Sequence, residues 1–251
     1  MASSSIRDRV ELRDGLEIIV SEVFGPTVQG EGTTLGKPTM FLRLGICNLS
    51  CTWCDTRYTW DWKNYDYTEE VKRVTSEGVV EEILEKASGN KFVNRLVISG
   101  GEPLLQQYKL GYVLDVLVDN LGWNVEIETA GTIAPSKIMK ELVSQFNVSP
   151  KLEHSGNPKD KRFKPAVLRE FKDTNKAVFK FVAKNVEDLN EVESIVSLVG
   201  IPESLVYIMP EGQDPETIST RACALVDDVI AKGYNLTTRL HVLLWGSKRG
   251  V

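Results

Sequence analysis

Long apolar runs and clustered positive charge are both missing from this sequence of 251 residues. No apolar stretch approaches the roughly 20 residues that a membrane-spanning helix needs, so we expect no membrane association. The N-terminus lacks the apolar centre of a secretory signal, which predicts a cytoplasmic location. A net charge of -5 with scattered Lys and Arg argues against nucleic-acid binding, because neutralising phosphates takes clustered cations. A small molecule is therefore the expected partner.

Cysteines are few, but three of the four lie within eight residues, at Cys47, Cys51 and Cys54. Such crowding without a secretory signal does not make a disulfide framework and is typical of a metal site. Structural zinc sites and fully protein-held iron–sulfur clusters take four protein ligands, so this run is one ligand short. The remaining Cys223 lies far downstream in a helix-like apolar segment, and we interpret it as a small buried hydrophobe.

Three explanations of the cysteine run stay open on these grounds. A cubane cluster held by three thiolates would leave one iron open, as a catalytic metal site requires. Chance clustering is a second explanation. A zinc site would need one distant side chain as its fourth ligand, namely Cys223, His154 or His241.

Short apolar strands alternate with helical patterns along the chain, and its length suits one large α/β domain. Strand–helix repetition predicts a parallel sheet with right-handed crossovers. Because the chain has fewer than eight β/α units, we expect a partial, open TIM-like β/α barrel of about six parallel strands. Residues 1–15 are predicted to be a polar tail, and 16–251 a single domain. The main predicted strands cover 16–24, 41–44, 95–99, 125–129, 146–150, 178–182 and 205–209.

Two segments between these strands are interpreted by their turn and aromatic residues. Gly25-Pro26 is predicted to end the first strand, because proline cannot continue a hydrogen-bonded ladder. The stretch 58–77 is rich in aromatic and charged residues and is predicted to be an irregular surface excursion.

Polar segments directly follow several predicted strands. Ligands of parallel sheets gather at the carboxyl ends of the strands, so these segments should converge on one face. The loop 27–32 is predicted to bind a ligand, because Gln29 and Glu31 can pair with the donors and acceptors of a heterocycle; a plain turn is the alternative. The segments after strands are Ser99-Gly-Gly-Glu102, Glu128-Thr129, Ser149-Pro-Lys151 and Met209-Pro-Glu211.

The cysteine spacing C-x3-C-x2-C, with Trp53 before the last cysteine, resembles the signature of the radical S-adenosylmethionine (SAM) superfamily. The turn Gly100-Gly-Glu-Pro103 resembles the methionine-binding element of that superfamily. Together with the 27–32 loop, Arg43 and the C-terminal Leu240-His241 segment, these motifs resemble the 7-carboxy-7-deazaguanine synthase family of queuosine and archaeosine precursor synthesis. The resemblance runs from about residue 16 to the end and implies a fold of the radical SAM type.

The resemblance also implies roles for single residues. A 4Fe-4S cluster would be bound by Cys47, Cys51 and Cys54, and Mg2+ by Thr56, for which a turn cap is the alternative role. Many relatives have Gln-Pro where this chain has Met209-Pro210. The SAM contacts at this position would therefore come from backbone groups. The implied SAM contacts are Trp53, Asp55, Gly101, Glu102, Ser149, Pro150, Lys151, Met209, Pro210 and Glu211. The implied substrate contacts are Val28, Gln29, Gly30, Glu31, Arg43 and Ser99.

The implied reaction converts 6-carboxy-5,6,7,8-tetrahydropterin to 7-carboxy-7-deazaguanine with loss of ammonia. An electron from a flavodoxin-like reductase would let the cluster cleave SAM, and the 5′-deoxyadenosyl radical would take a hydrogen from the substrate. No side chain is assigned as a catalytic group, because the radical comes from SAM. Arg43 would meet the substrate carboxylate, and Gln29 and Glu31 the amide and amine edge of the pterin. The family further implies a homodimer.

Two other functions are compatible with parts of the pattern. A radical SAM activase acting on a protein partner would need an exposed docking surface and no pterin-binding loop. Gln29, Glu31 and Arg43 therefore argue against it. A non-catalytic, zinc-stabilised binding module would contain zinc and no iron after anaerobic preparation.

Overall fold

The computed structural model describes residues 15–251. The polar tail expected over residues 1–15 therefore lies outside the described residues, apart from Gly15. From that glycine onward the chain builds one mixed sheet, and apolar helix faces pack against it. No helix in this part of the chain is both long and apolar enough to cross a membrane.

Within residues 15–251, nine strands form a single sheet in the order β3-β1-β2-β4-β5-β6-β7-β8-β9. Strand β1 is antiparallel to β2 and β3, whereas β2 and all strands from β4 onward run parallel. The open, partial β/α barrel is confirmed, and the two-residue β9 extends the expected set of about six parallel strands. The strands are β1 (Glu17–Val28), β2 (Pro38–Leu44), β3 (Lys72–Thr75), β4 (Arg95–Gly100), β5 (Asn124–Thr129), β6 (Gln145–Val148), β7 (Ala177–Ala183), β8 (Val206–Pro210) and β9 (Asn235–Leu236).

Helices connect most of the parallel strands. Several start at a side chain that caps the first turn: Thr75 accepts from the Gly78 amide at 3.2 Å, and Asp214 from the Thr217 amide at 2.8 Å. The helices are α1 (Tyr67–Glu70), α2 (Ser76–Ala87), α3 (Gly111–Leu114), α4 (Lys137–Leu142), α5 (Lys159–Arg162), α6 (Pro165–Asp173), α7 (Asp188–Val199), α8 (Pro215–Ala231) and α9 (Leu240–Trp245). Helix α3 continues as a π-helical turn over Asp115–Asn120.

The core lies between the sheet and these helices. Strand β7 is buried along its whole length, as expected for a strand covered on both faces. The rings of Phe146 and Phe171 meet edge to face with centroids 5.2 Å apart. Each fully buried side chain of this size stabilises the fold by about 1.5–3 kcal/mol. This packing fixes the strand ends that carry the polar segments.

Strand β1 continues through Gly25-Pro26, so the prediction that this pair ends the strand is wrong. The register with β2 shifts between Phe24 and Thr27, and a bulge of this kind accommodates a proline that cannot donate. Gly25 has φ +115°, and a Cβ there would lie 2.9 Å from the carbonyl oxygen of Thr39. The strand therefore extends directly into the 27–32 loop.

The aromatic stretch 58–77 is also more regular than predicted. It contains α1, the edge strand β3 and the start of α2. Strand β3 has only four residues, and Lys72, Arg73 and Thr75 are exposed, so it lacks the apolar alternation that predicts a strand.

The prediction that Cys223 is buried is wrong, because its side chain is exposed on α8. The buried face of that helix is formed by Ile218, Leu225 and Val229 instead. Cys223 therefore lies on the solvent side of the helix and not in the core.

Candidate active site

A cavity of about 330 Å³ opens where the parallel strands end at their carboxyl termini. Its wall combines the 28–31 loop, the cysteine run, the ends of β4 to β8 and the segment after Arg239. Almost all predicted site residues lie on this wall, and the exceptions are Glu102, Pro150 and Pro210. The predicted convergence of the strand ends is thus seen in the structure.

Three cysteines line one side of this cavity. Cys51 is buried with Leu49 and Ala130, and Cys47 and Cys54 pack against that group. Burial raises the pKa of the Cys47 thiol to about 12 and also raises the pKa of Cys51, so thiolates there need a neutralising cation.

A cubane suits this donor set. Among residues 15–251, no three His, Cys, Asp or Glu side chains are grouped to hold a single metal ion. A cluster places less demand on spacing, because each thiolate binds a different iron. The three cysteines pack together at the cavity wall, an arrangement compatible with a 4Fe-4S cluster.

Thr56 stands two residues after the last cysteine, with its hydroxyl 3.5 Å from Cys54 Sγ. It precedes the 3-10 turn Arg57–Thr59, but its side chain does not cap that turn. The alternative role as a cap is therefore not observed, and Thr56 lines the cavity with an oxygen that could bind a cation.

The turn after β4 packs tightly against the cysteine loop. The Gly101 amide donates to the Leu44 carbonyl at 3.0 Å, and the Glu102 amide to the Ile46 carbonyl at 2.9 Å. A Cβ on Gly101 would lie only 1.9 Å from the Ile46 oxygen, so glycine is required for this approach. The turn thereby presents backbone groups to the cavity beside the cysteines.

Glu102 itself does not line the cavity, and its predicted contact with SAM stays a prediction. Its carboxylate is fully buried and accepts from the Thr129 hydroxyl at 2.8 Å, the Ala130 amide at 2.8 Å and the Leu104 amide at 3.1 Å. Burial raises its pKa despite these donors. Glu102 therefore joins the β4 turn to the end of β5.

Pro150 and Pro210 are buried next to cavity residues and do not line the cavity themselves. Their predicted contacts with SAM stay predictions. Both adjoin lining residues, Ser149 and Glu211.

A second group of predicted SAM contacts forms a polar wall. Lys151 Nζ donates to the Ser149 hydroxyl at 2.9 Å and lies 5.6 Å from the Trp53 ring centroid. Met209 and Glu211 also line the cavity, and Glu211 pairs with Arg221. An ammonium group, a hydroxyl and an indole face are thus available to a polar ligand with an aromatic base.

The 28–31 loop forms the opposite wall. Gln29 is 1% exposed, and its side-chain NH2 group lies 3.4 Å from Oε1 of Glu128. The other carboxylate oxygen of Glu128 accepts a hydrogen bond from the Ser99 hydroxyl at 2.7 Å. Gly30 lies against His241: a Cβ there would meet Nδ1 at 2.1 Å. The loop is therefore fixed by packing before any ligand binds.

Glu31 is held as a carboxylate by two cations. It pairs with Lys180, and its other oxygen lies 3.2 Å from Arg239 Nε. Burial alone would raise the pKa of Glu31, but Lys180 and Arg239 outweigh burial and lower it well below its usual range. Arg239 also pairs with Asp55 and donates to the Gly212 carbonyl at 2.6 Å.

Arg43 is the second-last residue of β2 and lines the cavity. Its Nε lies 2.6 Å from Glu22, and its guanidinium lies 5.3 Å from the Phe24 ring centroid. These contacts orient a cation at the wall of the cavity.

Sequence reasoning missed Lys180 and Arg239, and it placed Glu128 and His241 near the site without giving either a role in this wall. Lys180 had a readable signal, because a lysine in the middle of an apolar strand must find a buried partner. The others carry no local signal, since their roles depend on partners far away in sequence.

Comparisons with known proteins agree with this geometry. The chain matches the Radical SAM superfamily over residues 42–208. It is 36% identical to the 7-carboxy-7-deazaguanine synthase of Pyrobaculum aerophilum over 92% of this chain and 96% of that protein, and 30% identical to that of Bacillus subtilis over 93% and 98%. The solved structure of QueE from Escherichia coli superposes with a TM-score of 0.70 at 24% identity, covering 95% of this chain and 100% of the other, which shows a shared fold.

Proposed function

The chain belongs to the 7-carboxy-7-deazaguanine synthase family of the radical SAM superfamily, and we propose that the cavity described above is its active site. It is a radical SAM lyase that uses a 4Fe-4S cluster and SAM. Its reaction converts 6-carboxy-5,6,7,8-tetrahydropterin to 7-carboxy-7-deazaguanine with release of ammonia, in the biosynthesis of 7-deazapurines. The observation that carries the site assignment is the convergence of the cysteine run, the β4 turn and the 28–31 loop on one cavity.

The cluster would be held by Cys47, Cys51 and Cys54, which leaves one iron for the amino and carboxylate groups of SAM. When bound, the cluster and SAM together supply a 5′-deoxyadenosyl radical. The chain positions SAM through the backbone of the Gly101 turn and the wall of Ser149 and Lys151. Trp53 would present its ring to the nucleoside part.

The pterin would lie between the β2 and 28–31 walls. Arg43 supplies a cation for its carboxylate, and Gln29 and Glu31 supply an amide and a carboxylate for its amide and amine edge. Glu31 suits this role because Lys180 and Arg239 keep it ionised. The same contacts leave the loop rigid, so that one carbon of the substrate stays aimed at the SAM side of the cavity.

We assign Mg2+ to Thr56 because this residue lines the cavity and its hydroxyl does not cap the turn that follows. Magnesium keeps several waters and takes few protein ligands, so one neutral oxygen with substrate oxygens suffices. The metal would steady the substrate carboxylate during ring contraction.

We further propose that residues 16–251 fold as one domain, that a flavodoxin-like reductase supplies the electron, and that the enzyme acts in the cytoplasm as a homodimer. The cavity of about 330 Å³, whose lining includes Gln29, Glu31 and Arg43, supports a small-molecule substrate over the protein partner of an activase. These assignments are separate from the reaction and can be tested separately.

The test is anaerobic incubation of reconstituted protein with SAM, a reductant, Mg2+ and the carboxytetrahydropterin. We expect a deazaguanine chromophore together with 5′-deoxyadenosine. Cleavage of SAM without the deazaguanine product would show that the substrate assignment is wrong. Protein that binds zinc and no iron under these conditions would overturn the radical mechanism altogether.

A further inference from the structure

Each of the three cysteine sulfurs has an N–H group aimed at it. The Leu49 backbone amide lies 3.5 Å from Cys47 Sγ. The other two donors are side chains: the Asn157 amide lies 3.3 Å from Cys51 Sγ, and the Trp60 indole N–H lies 3.3 Å from Cys54 Sγ. Asn157 and Trp60 belong to none of the motifs that predicted the site.

The orientation of the Asn157 amide is set by its contact with Ser50, and its NH2 group also lies 3.3 Å from the Ser155 hydroxyl oxygen. Its Oδ1 accepts from the Ser50 backbone amide at 2.9 Å, so its NH2 group must face Cys51. Flipping the amide would place two donors against each other at Ser50 and an oxygen against the sulfur. The side chain is 7% exposed, so water does not replace it.

The segment that carries Asn157 is clamped to the cysteine loop. The Thr52 amide donates to the Ser155 carbonyl at 3.0 Å, and the Thr52 hydroxyl to the His154 carbonyl at 3.3 Å. Gly156, which directly precedes Asn157, has φ +77°, and a Cβ there would lie 2.7 Å from Thr52 Cγ2. The donor therefore sits on a segment with little freedom to withdraw from Cys51.

Trp60 is fixed in a similar way. Its backbone amide donates to the Arg57 carbonyl at 3.0 Å, and the preceding Thr59 carbonyl accepts from the Ile46 amide at 2.7 Å. Indole nitrogen is a donor only, so its contact with Cys54 has one direction. The turn that follows the cysteines thus places the indole N–H of Trp60 against Cys54.

We propose that Asn157 and Trp60 raise the reduction potential of the bound cluster by donating hydrogen bonds to Cys51 and Cys54. Reduction adds one electron, part of whose charge falls on the sulfurs, and a donor stabilises the more negative state. Both are positioning residues that act through the thiolates. The inference rests on the cluster assignment made above and adds the control of its potential.

The test is a potentiometric titration of the anaerobically reconstituted protein, without SAM, followed by electron paramagnetic resonance (EPR). Trp60→Phe removes one N–H and keeps a ring, and Asn157→Leu removes the other without adding charge. We expect each change to lower the equilibrium constant for reduction about threefold, which at 59 mV per tenfold is about 30 mV towards more negative potential. The double variant should shift by the sum, because the donors contact different sulfurs.

Trp62→Phe is the matched control, since Trp62 belongs to the same aromatic stretch and packs against Tyr67 at 5.0 Å. Its potential should equal that of the unchanged protein. Asn157→Asp keeps the oxygen that accepts from Ser50 and puts a second carboxylate oxygen in place of the NH2 group that faces Cys51. It provides a second variant should Asn157→Leu fail to fold.

The outcomes separate this inference from the proposed function. Intact clusters with unchanged potentials in Trp60→Phe and both Asn157 variants would overturn the inference and leave the enzyme assignment standing. A shift confined to Asn157→Asp would mean that added charge and not lost donation is responsible, which also overturns it. Absence of a cubane in the unchanged protein would instead overturn the proposed function.

Discussion

Replacing Gly101 by alanine should push the β4 turn away from the cysteine loop. The added Cβ would lie 1.9 Å from the Ile46 oxygen and 2.9 Å from the Cys47 nitrogen, both of which are backbone atoms. The first distance is about 1.6 Å shorter than an optimal non-bonded separation of about 3.5 Å. A flexible side chain could rotate away from such an overlap, but a backbone carbonyl in a hydrogen-bonded loop cannot.

The cost follows from the contacts that must open. Separation of the two segments breaks the hydrogen bonds from Gly101 to Leu44 and from Glu102 to Ile46, each worth about 1 kcal/mol. Residual overpacking adds about 1–3 kcal/mol, so the total is about 3–5 kcal/mol. For a protein of this size such a loss lowers the melting temperature by about 10 °C.

The assay combines thermal melting by circular dichroism with iron content after anaerobic reconstitution. Gly101→Ala should melt lower and bind less iron, because Cys47 moves with the displaced loop. Gly122→Ala is the control: nothing lies within 4 Å of its Cβ position, so only its φ of +68° costs about 1–2 kcal/mol. Full iron loading and a melting temperature equal to the control would refute the packing argument.

Three other predictions concern the cluster, the magnesium site and the acid range. Cys51→Ala should abolish the brown colour and turnover, whereas the exposed Cys223→Ala should keep both; equal loss would contradict the ligand assignment. Thr56→Ala should weaken the dependence of turnover on Mg2+ while Thr56→Ser retains it, and identical Mg2+ titrations would rule out the assignment. Because Lys180 and other cations outweigh burial and hold the pKa of Glu31 below 4.5, its ionised form stabilises the fold above about pH 4.5, and this stability is lost as the pH falls further. Between pH 7 and about pH 3.5, the melting temperature of metal-free wild-type protein should therefore fall further than that of metal-free Glu31→Gln. Equal decreases in the two melting temperatures would refute this account.

Local sequence patterns predicted most of the fold and those site residues that belong to continuous motifs. The alternation of strands and helices can be predicted because apolar residues recur with a different period in each kind of element. The cysteine run and the Gly100-Gly101 turn can be recognised because each is continuous in sequence. Strand β3 was missed because an exposed four-residue edge strand has no apolar face to reveal it. The bulge at Gly25 was missed because it depends on how β2 passes alongside.

Contacts between distant residues were beyond the reach of sequence reasoning. Glu31 pairs with Lys180 across 149 positions, and Asp55 pairs with Arg239 across 184. Glu102 shows a different limit: its place in a ligand-binding motif predicts a ligand contact, but its buried carboxylate accepts from two donors at the end of β5 and from the Leu104 amide. The direction of a side chain at a strand end is set by the neighbouring strand and not by its own motif.

The central claim is that three cysteines hold a cubane and leave one iron for SAM. The direct measurement is EPR of the anaerobically reduced protein, recorded before and after SAM is added. The account predicts the signal of a reduced 4Fe-4S cluster that changes shape when SAM binds. A missing cluster signal, or one that SAM leaves unchanged, would contradict it.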